Sequence, residues 1–173
     1  ENGPGYGKIS AIANINPGRV SPVGATPFLL AAISYDADLM RILAAGGADP
    51  NVMTQEHSTA LFFAAGLAEG IGYLPLRTEE DDRKALEAVK VAVELGNDVN
   101  ASNNEHQTPL HGAAYVGSDA IVQFLVDNGA NVNVKDNSGQ TPLSIARCEF
   151  PPTLLEDNLR PQFIHESTGN LLV

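Results

Sequence analysis

The sequence has 173 residues, of which 43% are hydrophobic and 6% are aromatic, and it contains no Trp. This composition can form one core of ordinary size, built from Ala, Leu, Val and Ile. The formal net charge of −11 argues against nucleic acid and against anionic membrane surfaces as partners, because both are bound through clustered Lys and Arg. The charge fits a neutral or basic protein partner, and solubility alone also explains it.

Several kinds of chemistry have no support in the sequence. No apolar run reaches the roughly 18 residues that a membrane-spanning helix needs, so membrane insertion is not expected. Cys148 is the single cysteine, which excludes an internal disulfide and a zinc cluster of thiolates. The motifs of serine nucleophiles and of phosphate-binding loops are missing, and no two histidines have the spacing of a helical metal site. We therefore predict that this chain is not an enzyme and has no cofactor or metal.

The first 24 residues are rich in Gly and Pro, and they also carry Ile9, Ile12 and Ile15. This composition predicts an extended segment or a long hairpin loop before the first helix.

An internal repeat follows this segment. Four related stretches begin with a threonine, and they read TPFLLAA at 26–32, TALFFAA at 59–65, TPLHGAA at 108–114 and TPLSIA at 141–146. The steps between the threonines are 33, 49 and 33 residues. A second motif recurs out of phase with the threonine motif, as GADPN at 47–51, GNDVN at 96–100 and GANVN at 129–133. Such a period is typical of stacked repeats.

Each motif residue has a physical reason. The threonine hydroxyl can cap a first helix, and proline at the next position needs no hydrogen-bond partner for its nitrogen. The paired alanines allow close approach of neighbouring helices. A second helix is predicted around 120–126, and Gly129 is predicted to end it in a left-handed conformation.

These motifs together resemble the ankyrin repeat family. The resemblance implies an all-α solenoid of stacked helix–turn–helix units with short β-hairpin connections. It divides residues 25–147 into four repeats, at about 25–58, 59–107, 108–140 and a partial 141–147. Residues 148–173 are then an irregular C-terminal cap or an interrupted repeat.

Longer stretches, among them LHGAAYVGSDAIVQFLVDNGA, are similar to the C-terminal part of long bacterial ankyrin-repeat proteins. Many such proteins are exported, which favours a periplasmic or extracellular location over the cytoplasm. The chain would then be a segment of a longer array. The absence of an upstream repeat would leave an apolar edge on the first repeat.

The second repeat contains an insertion of 16 residues at about 66–82. Thr78 is predicted to cap a helix over 83–95, and the acidic residues 79–82 suit the positive end of that helix without any metal. Two interpretations of the loop stay open: it folds back over the helices, or its apolar residues Tyr73, Leu74 and Leu76 contact a partner.

Three histidines occupy motif positions. In the resembled family, the position of His111 generally bonds the backbone of the neighbouring repeat, which predicts a structural role. His57 and His106 stand at hairpin tips where glycine is more usual. There they either adopt a positive φ at some cost or contact a partner.

The resemblance also implies a binding surface made of hairpin tips and first helices. The tip residues are Met53, Gln55, Glu56, Ser102, Asn104, Glu105, Gln107, Lys135, Asn137 and Gln140. The first helices contribute Leu67, Tyr115 and Val116, of which Tyr115 fits an aromatic anchor.

The predicted function is a non-catalytic protein–protein interaction module. Two alternatives stay open. The chain is an accessory subunit or scaffold in an enzyme complex, or a fragment of a protein with a catalytic domain elsewhere. Otherwise it is a structural protein that self-associates through its end repeats.

Overall fold

The computed structural model describes residues 23–67, 78–147 and 165–173. Eight α-helices lie in these ranges, and α3 continues directly into a π-helical turn, Phe63–Leu67. The helices are α1 (Pro27–Ile33), α2 (Ala37–Ala45), α3 (Ala60–Phe62), α4 (Glu79–Glu94), α5 (Pro109–Val116), α6 (Asp119–Asp127), α7 (Pro142–Ala146) and α8 (Glu166–Leu171). These described ranges contain no strand, which agrees with the predicted all-α class.

The first helix of each unit begins at the repeated threonine. The Oγ1 atoms of Thr26, Thr59 and Thr141 accept hydrogen bonds from the backbone N–H three residues later, at 3.3, 3.2 and 3.2 Å. Proline stands at the start of α1, α5 and α7. The predicted capping role of the threonines is thereby confirmed at these three positions.

The second helices of the first three units end in the same way. Gly47, Gly96 and Gly129 have φ values of +92°, +92° and +88°, which an L side chain rarely adopts. The N–H of Gly129 donates to the carbonyl of Val126 at 3.0 Å, and the next N–H donates to the carbonyl of Leu125 at 2.9 Å. This pair of bonds is a Schellman motif, and the predicted left-handed Gly129 is confirmed.

The helices form two contacting rows. In the first row α1 contacts α3, the π-helical turn contacts α5, and α5 contacts α7; in the second row α2, α4, α6 and α8 contact in that order. The core lies between the rows and is rich in alanine and leucine. Its largest fully buried apolar side chains are Phe28, Leu29, Met40, Leu61, Phe62, Phe63, Val89, Leu110, Ile121 and Leu125.

The predicted β-hairpin connections are tight turns without strands in the described ranges. In the second connection, the N–H of Asn103 donates to the carbonyl of Gln107, and the N–H of His106 donates to the carbonyl of Asn103, both at 3.0 Å. The turns at 54–58 and 136–140 have the same two bonds. Because each turn pairs only its first and last residues, no ladder extends far enough to form a strand.

Helix α4 begins four residues earlier than predicted, at Glu79. Thr78 Oγ1 accepts from the N–H of Asp81, and Asp81 Oδ2 accepts from the N–H of Thr78, both at 3.1 Å. This capping box confirms Thr78 as the N-cap and places the acidic residues 79–82 within the first turn, where the helix dipole favours them.

Helix α8 takes the place of a second helix beside α7. The N-cap residues of α2, α6 and α8 each donate their N–H to a carbonyl of the preceding helix, at the fifth residue after the repeated threonine. These pairs are Asp36 with Ala31 (2.9 Å), Ser118 with Ala113 (3.2 Å) and His165 with Ala146 (2.9 Å). Thr168 Oγ1 also donates to Asp119 Oδ1 at 2.5 Å, which joins α8 to α6. The hydrogen bond at the start of α8 is therefore equivalent to those at the starts of α2 and α6.

The His165 ring lies directly against Gly117. A Cβ atom built on Gly117 would be 2.0 Å from His165 Nδ1, whereas a Cβ atom on Gly129 would have nothing within 4 Å. Both glycines have a positive φ. The two positions therefore differ mainly in the space for a side chain, which the His165 ring fills at Gly117 and which is open at Gly129.

We predict that Gly117→Ala lowers the free energy of unfolding by about 3 kcal/mol and Gly129→Ala by about 1 kcal/mol. Both variants force alanine into a left-handed conformation, which costs about 1–2 kcal/mol, and only the first also overpacks against α8. Urea denaturation measures both values. Equal losses would contradict the docking of His165 on Gly117, and the double variant Gly117→Ala/His165→Ala should recover part of the difference.

Candidate functional site

Backbone hydrogen bonds join the three tips into one row. The N–H of Asn104 donates to the carbonyl of Glu56 at 3.1 Å, and the N–H of Asn137 donates to the carbonyl of Glu105 at 3.0 Å. The first tip makes the equivalent bond from Gln55 to Val23 at 3.3 Å. Each tip is thus held at a fixed distance and orientation from the one before it.

Most of the predicted tip residues lie together on this row. We define the tip row as Met53, Gln55, Glu56, Ser102, Asn104, Glu105, Lys135 and Asn137, all of them exposed or partly exposed. Met53 is its large apolar side chain and is 46% exposed. The row combines one apolar contact with amide, hydroxyl and charged groups, a mixture found in protein interfaces.

The tip row is also linked through side chains. His57 Nδ1 lies 2.7 Å from Asn104 Oδ1. Asn137 Nδ2 donates to the carbonyl of Asn104 at 3.1 Å and to Glu105 Oε2 at 3.2 Å. These bonds hold polar groups of neighbouring tips in defined positions before any partner arrives.

His57 and His106 adopt the unfavourable conformation that their positions predicted. Their φ values are +60° and +57°, and Gly139 has +78° at the equivalent place in the third tip. A left-handed conformation costs a residue with a Cβ about 1–2 kcal/mol. Two of the three tips therefore keep histidine where glycine is the less strained residue.

His111 on α5 contacts the backbone of the third tip, the turn at 136–140. Its ring is completely buried, Nδ1 accepts the N–H of Thr108 at 3.1 Å, and Nε2 lies 3.3 Å from the carbonyl of Gln140. An Nε2–H tautomer of the neutral ring satisfies both contacts. Burial lowers the pKa of His111, which agrees with a neutral ring. The predicted bond from His111 to neighbouring backbone is confirmed.

Gln107 and Gln140 do not belong to the exposed row. They are 8% and 4% exposed, because each directly precedes a helix-capping threonine and lies under its turn. Gln107 Oε1 accepts from Asn103 Nδ2 at 3.3 Å, within the turn itself. We correct the predicted surface by leaving both glutamines out of it.

The other predicted contact residues are separate from the tips. Tyr115 and Val116 are half-buried at the C-terminal end of α5, the opposite end from its capping threonine. Leu67 is the last residue of the π-helical turn. The insertion residues Tyr73, Leu74 and Leu76 lie outside the described residues, so their predicted contact stays a prediction.

The structure also contains a cleft that the sequence did not predict. An open cleft of about 450 Å³ separates the turn after α1 from the start of α4, and its two sides are about 45 residues apart in the chain. Its charged lining residues are Asp36, Asp38, Arg41, Glu80, Arg83, Lys84 and Glu87.

Five of the seven charged lining residues already form an ion pair, either within the cleft or with a residue beside it. Arg83 Nε donates to Glu80 Oε2 at 3.1 Å, and this hydrogen bond is the main reason that the pKa of Glu80 is lowered. Lys84 also lies 3.6 Å from Glu80, and Arg41 lies 3.5 Å from Glu94. We therefore regard the tip row as the better candidate site.

Comparison with known proteins identifies part of the chain. The family model described as ankyrin repeats (many copies) matches residues 93–146, from the end of α4 through α7. A comparison with curated proteins found no match. Among the helices described, none is long and apolar enough to cross a membrane. Within the same residues, no three acidic, histidine or cysteine side chains are grouped so as to hold a metal ion.

We predict that His111 makes the fold sensitive to acid. Its folded pKa lies below the unfolded value of 6.5, so the unfolded chain takes up a proton first as the pH falls. Its contribution to stability is complete above pH 6.5 and decreases below it, by at most about 1.4 kcal/mol at pH 5.5.

Urea denaturation at pH 7.5 and 5.5 measures this loss. The control is His111→Gln, which keeps a hydrogen-bond acceptor at the third helical position and does not titrate. Its stability should be lower at pH 7.5 and should change less between the two pH values. The same pH dependence in both proteins would show that other groups are responsible.

Proposed function

We propose that this chain is a non-catalytic protein–protein interaction module, because residues 93–146 match the family model described as ankyrin repeats. In this proposal the described helices are a solenoid of four repeats, and the tip row is the surface that contacts the partner. The observation that carries it is the backbone ladder from Val23 to Gln55, Glu56 to Asn104 and Glu105 to Asn137. Ankyrin repeats generally mediate protein–protein interactions.

The ladder supports binding because it reduces the entropy lost on association. Groups that are already ordered cost less to immobilise than groups on independent loops. The bonds of Asn137 to Asn104 and Glu105 extend the same order to side chains. Met53 supplies an apolar contact at one end of the row, and Lys135 supplies a positive charge at the other.

The electrostatics favour a neutral or basic protein as partner. Glu56 and Glu105 occupy the same position in consecutive tips, and the whole chain carries a formal charge of −11. A nucleic acid would meet this negative potential without a cluster of cations. The sequence resemblance favours a periplasmic or extracellular location, and we include that location in the proposal.

For residues 148–173, this proposal adopts the second of the two interpretations that the sequence left open, an interrupted repeat. The bond from His165 to Ala146 supports a fourth repeat that is interrupted between its two helices and completed by α8. The second repeat carries its insertion at the corresponding place, between its first helix, α3, and its second helix, α4. Insertions in this array therefore enter at the turn between paired helices.

Tip-row variants of the full chain test the proposal. The wild-type protein is purified from its source with bound proteins, and each candidate partner is then measured with purified components by calorimetry. We expect the triple variant Met53→Asp/Asn104→Ala/Lys135→Glu to weaken such a complex at least tenfold. The reason is that it removes the apolar contact and reverses one charge while leaving the backbone ladder intact.

Gln123→Ala is the matched control, because Gln123 is exposed on α6 and its side chain bonds Asp127 of the same helix. It should leave the affinity unchanged. A partner that binds the triple variant as well as the wild type would contradict the proposed surface. An enzyme among the partners would favour the accessory-subunit alternative, which uses the same kind of surface.

The strained tip histidine gives a second prediction. His106→Gly should leave the free energy of unfolding unchanged or raise it by up to about 1 kcal/mol, because relief of the left-handed strain exceeds the extra entropy of glycine in the unfolded chain. If His106 is kept for binding, the same change should weaken the complex several-fold. Denaturation and calorimetry on one variant separate the two effects. A clear loss of stability would contradict the strain.

A further inference from the structure

Each tip contributes two consecutive residues to the backbone ladder. In the first tip they are Gln55 and Glu56, and the carbonyl of Glu56 accepts the N–H of Asn104 in the next tip at 3.1 Å. Asn104 and Glu105 continue the ladder to Asn137 in the same way, at 3.0 Å. One peptide step of about 3.8 Å thus alternates with one hydrogen-bonded step of about 5.5 Å. Equivalent residues of neighbouring tips are therefore about 9 Å apart along the row.

The side chains repeat together with the backbone. The first residue of each pair carries a carboxamide, and these residues are Gln55, Asn104 and Asn137. The second residue is glutamate in the first two tips, Glu56 and Glu105, and it is Ser138 in the third. Glu105 is exposed and Glu56 is partly exposed. A surface whose charges repeat at a fixed distance favours a partner whose opposite charges repeat at the same distance.

The two glutamates present separate negative charges. Asn137 Nδ2 donates to Glu105 Oε2 at 3.2 Å, which holds this carboxylate on the side of the third tip. Glu56 belongs to the first tip, which lies on the other side of Glu105 in the ladder. Because Glu105 is drawn away from Glu56, two cations match the pair better than one shared cation. Each cation has to come within about 4 Å of its carboxylate.

An extended chain carries cations at this spacing when they are three residues apart. Three residues of a strand span about 10 Å, and one turn of a polyproline II helix has three residues and spans about 9 Å. The backbone of such a segment also offers N–H and C=O groups, which carboxamides can bond. Asn104 and Asn137 are exposed. Asn104 Nδ2 and Asn137 Oδ1 have no hydrogen-bond partner in the part of the chain that the structure describes.

We propose that the tip row binds an extended segment of a partner protein in which lysine or arginine recurs at every third residue. Two consecutive basic side chains pair with Glu56 and Glu105, and Asn104 and Asn137 bond the backbone of the segment. This inference rests on the proposed function, because it names the partner of the same surface. At physiological ionic strength charges interact over only about 8 Å, which is less than one period of the tips. The spacing of the cations therefore determines the affinity more than their number does.

Two synthetic peptides of identical composition test the spacing. One has four Lys-Pro-Pro units, and its proline content favours polyproline II with all lysines on one face. The other has two Lys-Lys-Pro-Pro-Pro-Pro units, in which no two lysines are three residues apart. Binding of each peptide to the full chain is measured by fluorescence anisotropy at an ionic strength of about 0.15 M. We expect the first peptide to bind at least fivefold more tightly than the second.

Glu56→Gln/Glu105→Gln should bring the two affinities within twofold of each other, because it removes both charges. Glutamine at position 105 still accepts a bond from Asn137, so urea denaturation should show an unchanged stability. The matched control is Glu79→Gln/Glu166→Gln, which removes two exposed charges in the first turns of α4 and α8, outside the tip row. It should keep the preference for the first peptide.

Equal affinities of the two peptides for the wild type would overturn the proposed spacing. A preference that persists in Glu56→Gln/Glu105→Gln, or that the control variant also removes, would overturn the assignment to these two glutamates. Each of these results leaves the proposed function standing, because the calorimetric test of the tip row uses native partners and not these peptides. A native partner that binds the triple variant unchanged would instead contradict the proposed function itself.

Discussion

Contact between neighbouring short helices is the constraint on which this fold depends. Helices α1, α2, α5 and α6 have 7, 9, 8 and 9 residues, lengths at which an isolated helix is unstable in water. Each helix is therefore stable only while its row and the opposite row remain packed. The fully buried alanines Ala31, Ala32, Ala64, Ala113 and Ala114 permit this packing at close range. Threonine caps and left-handed glycines then define where each helix begins and ends.

Much of the helical framework could be predicted from the sequence, because its signals are local. A threonine cap acts on an amide three residues away, and Gly129 closes the helix that it directly follows. The positive φ at His57 and His106 was also accessible, since their place in the turn corresponds to Gly139. These features depend on a few adjacent residues, and repetition confirms them several times in one chain.

The remaining features depend on contacts between distant residues. Gln107 and Gln140 resembled tip residues by position, but the turn above each of them determines its burial. The charged cleft joins the turn after α1 to α4, and nothing in either segment alone indicates the other. His165 follows a long connection without a recognisable motif, and only its bond to Ala146 reveals that it is equivalent to the N-cap residues of α2 and α6. For the candidate site, the position of each residue in the repeat predicted which residues lie at the tips, whereas its exposure in the structure decided whether it belongs to the tip row.

The bond between His165 and Ala146 has a consequence for how the array tolerates change. The connection from Ala146 to His165 covers 19 residues, whereas the one from Ala113 to Ser118 covers 5, yet the N-cap bond is the same. Closing the longer connection costs only about 1 kcal/mol more in chain entropy. New sequence can therefore enter at this turn while the helices keep their places. For protein engineering, the turn between paired helices is a graft site at which a foreign peptide could be displayed without redesigning the core.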